Sequence, residues 1–334
     1  MSEITVVVAG TDCGRTPLMP FVGERFDGRI FTEPTKYLLQ AALLRCGFDV
    51  VDVKQPITDC QDTVMLANRV SADCIAVTSY GAFGSRKSFN DVCGMTVRYY
   101  AGRTKNRTLA EDVCAKLLNK GKCTILPDRE PSGAACPAII IDGGYLTNFD
   151  EAKAAHDPDY RTAFAEYAAM GICEYFDLPY IPREEKTCYP ALNPDDVGKR
   201  GTKVKQLQAL LCAHGYKTDV DGVIGRNTSL AAKTFMINNE PHVNTNALIC
   251  LALPEYCGIP FGAKSATASY VQHKLRSKLY PCELSGVLDS QTLTALNEFL
   301  NETNSGLSST EQSGVTAEMI DLLKPVGGGR PRLF

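Results

Sequence analysis

The sequence predicts an α/β domain with a mostly parallel sheet flanked by helices, followed by two small all-α modules of three helices each. Over residues 3–178 of the 334-residue chain, short β-branched runs alternate with segments whose apolar residues recur at helical spacing. This alternation is the order expected of a parallel sheet with helices between its strands. Beyond residue 198, one pattern of apolar and glycine positions occurs twice at an offset of 64 residues, as from Gln208 to Gln272. A repeat of this length indicates a duplicated structural unit.

Six strands and four helices are predicted in the first half of the chain. The strands cover residues 4–9, 48–53, 73–78, 95–100, 122–126 and 137–142, and the helices cover residues 34–46, 61–71, 109–118 and 160–176. The last strand is a continuous apolar run, which is typical of a strand buried on both faces. It ends at Asp142, after which Gly143 and Gly144 allow a sharp turn. Because open α/β sheets keep their sites at the carboxyl ends of strands, Asp142 is the first candidate functional residue.

The two copies of the repeat match without a gap. Each copy has a helix with apolar residues at i, i+3, i+4 and i+7, a turn that contains glycine, and a second helix capped near a threonine. One further helix follows each copy, at residues 244–253 and 316–323. Residues shared by the copies are Gln208, Tyr216, Gly222, Thr228 and Phe235, which correspond to Gln272, Tyr280, Gly286, Thr292 and Phe299. The pattern predicts two three-helix modules in tandem.

A proline-rich segment separates the predicted α/β domain from the repeats. It contains Pro179, Pro182, Pro190 and Pro194 together with a charged patch, which is typical of a linker. The predicted division is an α/β domain at 1–178, a linker at 179–198, modules at 199–258 and 263–325, and a flexible tail at 326–334.

Composition excludes several classes of partner. A net charge of −3 provides no basic field for nucleic acid or an anionic membrane surface. No stretch approaches the roughly 20 apolar residues of a membrane helix, and the first residues lack the basic start of a signal peptide. We therefore expect synthesis and folding in the cytoplasm, with neither nucleic acid nor a membrane as a partner.

The 14 cysteines form no CxxC pair and have no zinc-site spacing. Several of them lie in apolar runs, such as Cys74 between Asp73 and Ile75. This placement is typical of buried, reduced thiols that pack as small hydrophobic groups.

The repeat resembles the three-helix peptidoglycan-binding module that is appended to many cell-wall hydrolases. The similarity lies in Leu207-Gln208, Gly215-Tyr216, the turn at residues 221–225, Thr228 and Phe235. It implies that the Asp-Gly turn and the neighbouring grooves contact glycan or stem peptide, although the leucines at helical spacing are mainly core residues. The candidate peptidoglycan-binding residues are Asp221, Gly222, Gly225 and Thr228. The second copy departs from the module at Leu279 and Asp289, where the module has glycine.

Residues 3–178 are similar to the zinc-dependent N-acetylmuramoyl-L-alanine amidases, which cut the bond between muramic acid and the first alanine of the stem peptide. Ala67-Asn68-x3-Ala72-Asp73 resembles the passage of that family from a helix to a strand. Residues 137–148 resemble its catalytic strand and the following turn, and Asp157-Pro158-x-Tyr160 resembles the start of its closing helix. The resemblance implies an amidase-like fold and peptidoglycan as the partner.

The resemblance also implies a site, in which family members hold one zinc with His, Glu and His and use a second Glu as general base. These ligand positions fall on Asp12, Glu33 and Ser79 in this sequence, and the general-base position falls on Asp142. Glu33, which is expected to open a helix, keeps the residue type of the family, and Glu24 is a weaker contender for its position. A serine hydroxyl is a poor ligand for catalytic zinc. The shorter Asp142 withdraws the carboxylate by about 1 Å, and a misplacement of that size can cost about 100-fold in rate.

Two further interpretations of these residues stay open. A metal could be held by Asp12, Cys13 and Glu33, because a metal can deprotonate a thiol, although successive side chains on an extended segment point apart. Asp142 could instead accept hydrogen bonds from the backbone of its glycine turn. The histidines offer no replacement ligand within the motifs, since they lie at His156, His214, His242 and His273.

Three functions are compatible with these patterns. The leading hypothesis is a peptidoglycan-binding protein with an amidase fold that has lost catalysis and needs no cofactor. The first alternative is an active, endolysin-like amidase that uses zinc. The second is a structural component of a cytoplasmic or phage assembly, with protein contacts or self-assembly through the long loops at residues 10–32 and 80–94. In the first two cases, the protein would reach the cell wall by lysis or by a non-Sec route.

Overall fold

One six-stranded sheet forms the centre of the computed structural model, which describes residues 3–20, 23–54, 56–129, 131–183, 195–238 and 258–324. The strand order is β2-β1-β3-β6-β4-β5. The strands are β1 (Thr5–Gly10), β2 (Asp49–Asp52), β3 (Cys74–Gly81), β4 (Met95–Tyr100), β5 (Cys123–Asp128) and β6 (Ala138–Tyr145). Neighbouring strands are parallel except β4 and β6, which are antiparallel. The prediction of a mostly parallel sheet is confirmed.

The prediction that β6 ends at Asp142 is wrong, because the strand continues to Tyr145. Gly143 and Gly144 belong to the strand and do not form the expected turn. A Cβ atom on Gly143 would lie 2.2 Å from the ring of Phe31, so the glycine permits close packing of this helix residue against the strand. Asp142 therefore lies inside the sheet, where it pairs in register with Ser79 of β3.

Five helices accompany the sheet in the described part of residues 3–183, which we call the N-terminal domain. They are α1 (Arg29–Arg45), α2 (Gln61–Arg69), α3 (Thr104–Leu117), α4 (Phe149–Ala154) and α5 (Pro158–Tyr175). Helices α1, α3 and α5 enclose one apolar core with the sheet, and α2 packs against β1 and β3 within a second core. The predicted flanking helices are confirmed, and the short helix α4 is additional. None of the described helices is both long and apolar enough to span a bilayer.

Helix α1 begins at Arg29, five residues before its predicted start at Pro34, so Glu33 does not open the helix. A proline inside a helix has no N–H to donate to the carbonyl four residues earlier. That carbonyl belongs to Ile30, and it accepts a hydrogen bond from Arg161 Nη1 of α5 at 2.7 Å. A contact with another helix thus satisfies the group that Pro34 leaves unbonded.

The described C-terminal residues form two helical segments, which carry the two copies of the sequence pattern and are called here the first and second repeat. The first repeat (residues 195–238) contains α6 (Thr202–Ala213) and α7 (Arg226–Asn238). The second repeat (residues 258–324) contains α8 (Ala266–Ser277), α9 (Ser290–Glu302) and α10 (Ala317–Leu323). The helix predicted at residues 244–253 lies outside the described residues, as do the predicted tail and most of the predicted linker.

Both repeats pack against the N-terminal domain. Helix α6 lies along α1, where Ala41 joins the apolar cluster of the first repeat. Helix α8 meets the start of α5, where Lys274 is 1% exposed and lies 2.9 Å from Asp157 Oδ2 and 3.2 Å from Asp159 Oδ2. Arg276 of the same helix forms an ion pair with Glu24. We call this arrangement of the second repeat docked.

Two histidines lie where the second repeat is docked, His156 buried and His273 half-buried. The rings of His156 and His273 are 6.1 Å apart between their centroids. Neither ring nitrogen of His156 has a hydrogen-bond partner, and nor does the buried Nδ1 of His273. Burial lowers the pKa of both histidines well below the ordinary value, and the nearby charges of Arg161 and Arg276 lower it further. The docked arrangement therefore favours the neutral form of both rings.

Acidification should release the second repeat. In the undocked state each histidine has an ordinary pKa near 6.5. The docked arrangement is therefore most stable above this pH, and it loses stability as the pH falls towards the lower pKa of the docked histidines. Each histidine should therefore oppose docking increasingly as the pH falls below 6.5. Small-angle X-ray scattering between pH 8 and pH 5 should show an increase in the radius of gyration.

The H156L/H273L variant is the matched comparison, because leucine neither titrates nor leaves a hydrogen-bonding group unsatisfied. The carboxylates Asp157, Asp159 and Glu24 remain in both proteins, so their own titration is common to the two measurements. An equal expansion of the wild type and the variant on acidification would contradict the role of the histidines.

Candidate functional site

A row of polar side chains crosses the sheet near the carboxyl ends of β1, β3 and β6. On β3 and β6, Val77 and Ile140 belong to the apolar core beneath α2. Two residues further along each strand, on the same face, lie Ser79 and Asp142. Thr11, which directly follows β1, extends the row at one end. Along these strands, apolar core residues are thus followed by polar residues near the carboxyl ends, where α/β sheets usually have their functional sites.

The row is held by hydrogen bonds and ion pairs. Thr11 Oγ1 donates to Ser79 Oγ at 3.0 Å. At the other end, Arg98 of β4 donates from Nε to Asp142 Oδ2 at 2.7 Å and from Nη2 to Oδ1 at 3.2 Å. Its remaining Nη1 donates to Asp128 Oδ2 at 2.8 Å. The Asp142 carboxylate is therefore bound on both oxygens by one guanidinium group, a strong and geometrically specific arrangement.

Because Asp142 is buried, its ion pair with Arg98 matters for the stability of the fold. Asp142 is 4% exposed, and a buried carboxylate without a partner would cost several kcal/mol. Burial alone would lower the pKa of Arg98, but the carboxylates of Asp142 and Asp128 outweigh this effect and raise it above its ordinary value. Both oxygens of Asp142 accept hydrogen bonds from Arg98, so this carboxylate serves as the counter-charge of the guanidinium group.

The side chains at the expected zinc-ligand positions differ in their exposure and contacts. Asp12 is exposed, and its Oδ1 accepts a hydrogen bond from the backbone N–H of Gly14 at 3.2 Å. Glu33 is exposed on α1, whereas Ser79 is buried and bonded to Thr11. The described residues contain no group of three or more His, Cys, Asp or Glu side chains that could hold a metal ion. They therefore do not fit the three-ligand site that catalytic zinc requires.

The alternative candidates have other contacts. The Glu24 carboxylate forms an ion pair with Arg276 of the second repeat. Burial raises the pKa of the Cys13 thiol to about 11, with the charge of Asp142 adding to the increase, so this thiol is protonated at neutral pH. Arg86 donates a hydrogen bond to the backbone carbonyl of Cys13, which ties the loop after β3 to the loop after β1.

Sequence reasoning missed Arg98 and Asp128. The signal for Arg98 was a charged residue inside the otherwise apolar and aromatic strand predicted at residues 95–100. Its partner could not be deduced from sequence order, because β4 and β6 are separated along the chain by α3 and β5. In the antiparallel pair, Thr96 lies opposite Asp142, which makes Arg98 its diagonal neighbour.

In the first repeat, the candidate peptidoglycan-binding residues surround a fully buried amide. The Nε2 atom of Gln208 lies 2.9 Å from Asp221 Oδ1 and 3.0 Å from Thr228 Oγ1, and its Oε1 accepts from the Gly222 N–H at 2.8 Å. Gly225 precedes α7, and its carbonyl accepts from Ser229 N at 2.9 Å. Thr228 is 3% exposed, so its hydroxyl serves the interior of the repeat. Contact with peptidoglycan by the turn stays a prediction.

The second repeat reproduces this network and accommodates its two departures. Gln272 Nε2 lies 2.9 Å from Thr292 Oγ1, and its Oε1 accepts from the Gly286 N–H at 2.8 Å. Leu279 has a φ of 71°, close to the 85° of the corresponding glycine in the first repeat. Asp289 caps α9 by accepting from Thr292 N at 2.8 Å. Leu279 and Asp289 thus fit the backbone of the second repeat without glycine at either position.

Known structures give the nearest comparison for this chain. No protein-family model matches it, and no curated protein sequence does. Structures similar to its N-terminal part are N-acetylmuramoyl-L-alanine amidases. They include AmiC2 of Nostoc punctiforme, with 24% identity over 52% of this chain and 97% of that chain and a TM-score of 0.44. The enzyme from Clostridium difficile 630 has 19% identity over 53% and 98% of the two chains and a TM-score of 0.46. The catalytic domain of CwlV from Bacillus (Paenibacillus) polymyxa var. colistinus has 18% identity over 53% and 99%, and a TM-score of 0.45.

Replacing Arg98 should destabilise the sheet. The R98M variant leaves the Asp142 carboxylate buried without its counter-charge, and we expect a loss of about 3 kcal/mol in the free energy of unfolding. Adding D142N, which replaces the charge with a neutral amide, should recover part of that loss. Urea denaturation of the wild type, both single variants and the double variant measures the coupling between the two positions.

R107M is the matched control, because Arg107 pairs with Glu111 on the exposed face of α3. This variant should leave the free energy of unfolding nearly unchanged. If R98M were no more destabilising than R107M, the Asp142 carboxylate would not depend on Arg98.

Proposed function

We propose that this protein binds peptidoglycan without hydrolysing it, on an amidase-like N-terminal scaffold to which two helical repeats are docked. The observation that carries the proposal is the ion pair of Asp142 with Arg98, at 2.7 Å and 3.2 Å. It occupies the carboxylate at the general-base position that the family resemblance assigns. The partner is proposed from the resemblance of both parts of the chain to peptidoglycan-directed proteins.

The chemistry of amide cleavage supports the non-hydrolytic half of the proposal. A zinc amidase needs three protein ligands, an open position for water and a base that removes the proton from this water. Here the second histidine position is Ser79, whose hydroxyl accepts a hydrogen bond from Thr11. Asp12 and Glu33 are both exposed and outside any metal-binding group of the described residues. We therefore propose that the protein acts without a metal cofactor.

The binding half of the proposal is supported by the arrangement of the repeats. Lys205 of α6 forms an ion pair with Asp49 of the N-terminal domain, and Lys54 pairs with Asp219 of the first repeat at 2.7 Å. With the buried Lys274 of the second repeat, these contacts join all three parts into one surface. A surface of this kind can hold a ligand that is larger than any single module.

The full-length protein should sediment with purified sacculi and release no stem peptide from them. Protein purified without chelators should contain far less than one equivalent of zinc by elemental analysis. An active N-acetylmuramoyl-L-alanine amidase, incubated with the same sacculi, is the positive control for peptide release.

The two halves of the proposal can fail separately. One equivalent of zinc together with release of stem peptide would overturn the non-hydrolytic half and favour an active amidase. Failure to sediment with sacculi would overturn the binding half and favour a structural component that contacts other proteins.

A further inference from the structure

A groove of about 880 Å³ lies where the N-terminal domain and both repeats meet. One wall is the start of α1, a second is the loop that follows α6, and a third is α8. This volume is within the range of pockets that hold small molecules and short peptides. The groove depends on the docked arrangement, because each wall comes from a different part of the chain.

Most charged groups along the groove neutralise one another. Arg29 is held by Asp27 at 2.7 Å, and Lys54 is held by Asp219 at 2.7 Å. Among the described residues, the exposed side chains of Glu33 and Lys217 form neither a hydrogen bond nor an ion pair. The groove thus presents one carboxylate and one ammonium group that are available to a ligand.

Aromatic rings also line the groove, from Tyr37 of α1 and Tyr270 of α8. The hydroxyl of Tyr270 donates to Asp159 Oδ2 at 3.1 Å, so its ring is fixed in place. His273 lies one turn further along α8, and its Nδ1 is buried without a hydrogen-bond partner. Tyrosine rings provide a large contact area for little loss of conformational entropy.

We propose that this groove binds the stem peptide of peptidoglycan, with Glu33 contacting a free amino group of the peptide and Lys217 contacting a carboxylate. This inference rests on the proposed function and assigns the site and the part of the polymer that is bound. A peptide with both charges complements the groove, whereas an uncharged sugar leaves both groups without a partner. The tyrosine rings of the groove then pack against the bound peptide.

Isothermal titration calorimetry on the full-length protein tests this assignment with three soluble probes. These are a disaccharide-tetrapeptide from muramidase digestion, the free tetrapeptide with the amino group of its diamino residue, and the disaccharide alone. Both peptide-bearing probes should bind, and the disaccharide should not. The E33Q and K217M variants should each weaken binding about ten-fold or more, since each removes a charge-assisted hydrogen bond.

Matched controls and a third variant separate the site from general effects of charge. E318Q on α10 and K203M on α6 change exposed residues outside the groove, and both should bind like the wild type. S269W places a large side chain on the α8 wall and should abolish binding. Circular dichroism verifies that S269W folds, and the two exposed charge variants decide the question if it does not.

The outcomes distinguish this inference from the proposed function. If the wild type sediments with sacculi but E33Q and K217M bind the peptide probes unchanged, the groove is not the site and the proposed function stands. Binding of the disaccharide alone as tightly as the disaccharide-tetrapeptide would overturn the assignment to the peptide. If the wild type binds neither sacculi nor any probe, the proposed function and this inference both fail.

Discussion

A buried charge needs a counter-charge, and this constraint connects the architecture of the sheet with the chemistry of its edge. Asp142 lies inside β6 with only 4% of its surface exposed, so an unpaired carboxylate there would oppose folding by several kcal/mol. The antiparallel entry of β4 beside β6 brings Arg98 within 2.7 Å and removes this cost. The same contact gives each oxygen of the Asp142 carboxylate a hydrogen-bond donor from Arg98. The stability of the sheet and the pairing of this carboxylate therefore have one cause.

The need for a counter-charge also applies where the second repeat is docked. Lys274 is 1% exposed at the domain interface, and both Asp157 and Asp159 lie within ion-pair distance of it.

Leu279 adopts a left-handed conformation that costs about 1–2 kcal/mol for a residue with a side chain. Its half-buried side chain packs against the cluster of Met19, Phe26 and Ala152 in the N-terminal domain, and this partial burial offsets part of the cost. A glycine at this position would relax the backbone but lose the contact, so the departure from the module pattern suits docking.

Local sequence patterns predicted the elements whose signals are local. The six strands lie within a few residues of their predicted ranges, because continuous β-branched runs determine them without reference to distant residues. The predicted start of α1 was wrong because a proline usually lies in the first turn of a helix. Here Pro34 lies further inside the helix, and Arg161 of α5 donates a hydrogen bond to the carbonyl that Pro34 leaves unsatisfied. The partner of Asp142 was also missed because the contact joins residues that are far apart along the chain. Arg98 becomes its neighbour only through a strand order that does not follow the chain.

Glu33 belongs both to the site that the family resemblance implies and to the proposed groove. By resemblance it occupies a zinc-ligand position, yet its helix begins at Arg29, and the side chain lies exposed on the first turns of α1. The repeats build the other walls of the groove around these turns. A carboxylate in a closed metal site would be neutralised by the ion, whereas an exposed carboxylate beside tyrosine rings attracts a cationic group from solution. In our proposal, docking of the repeats therefore moves the functional surface of this fold from the edge of the sheet to the junction of its three parts.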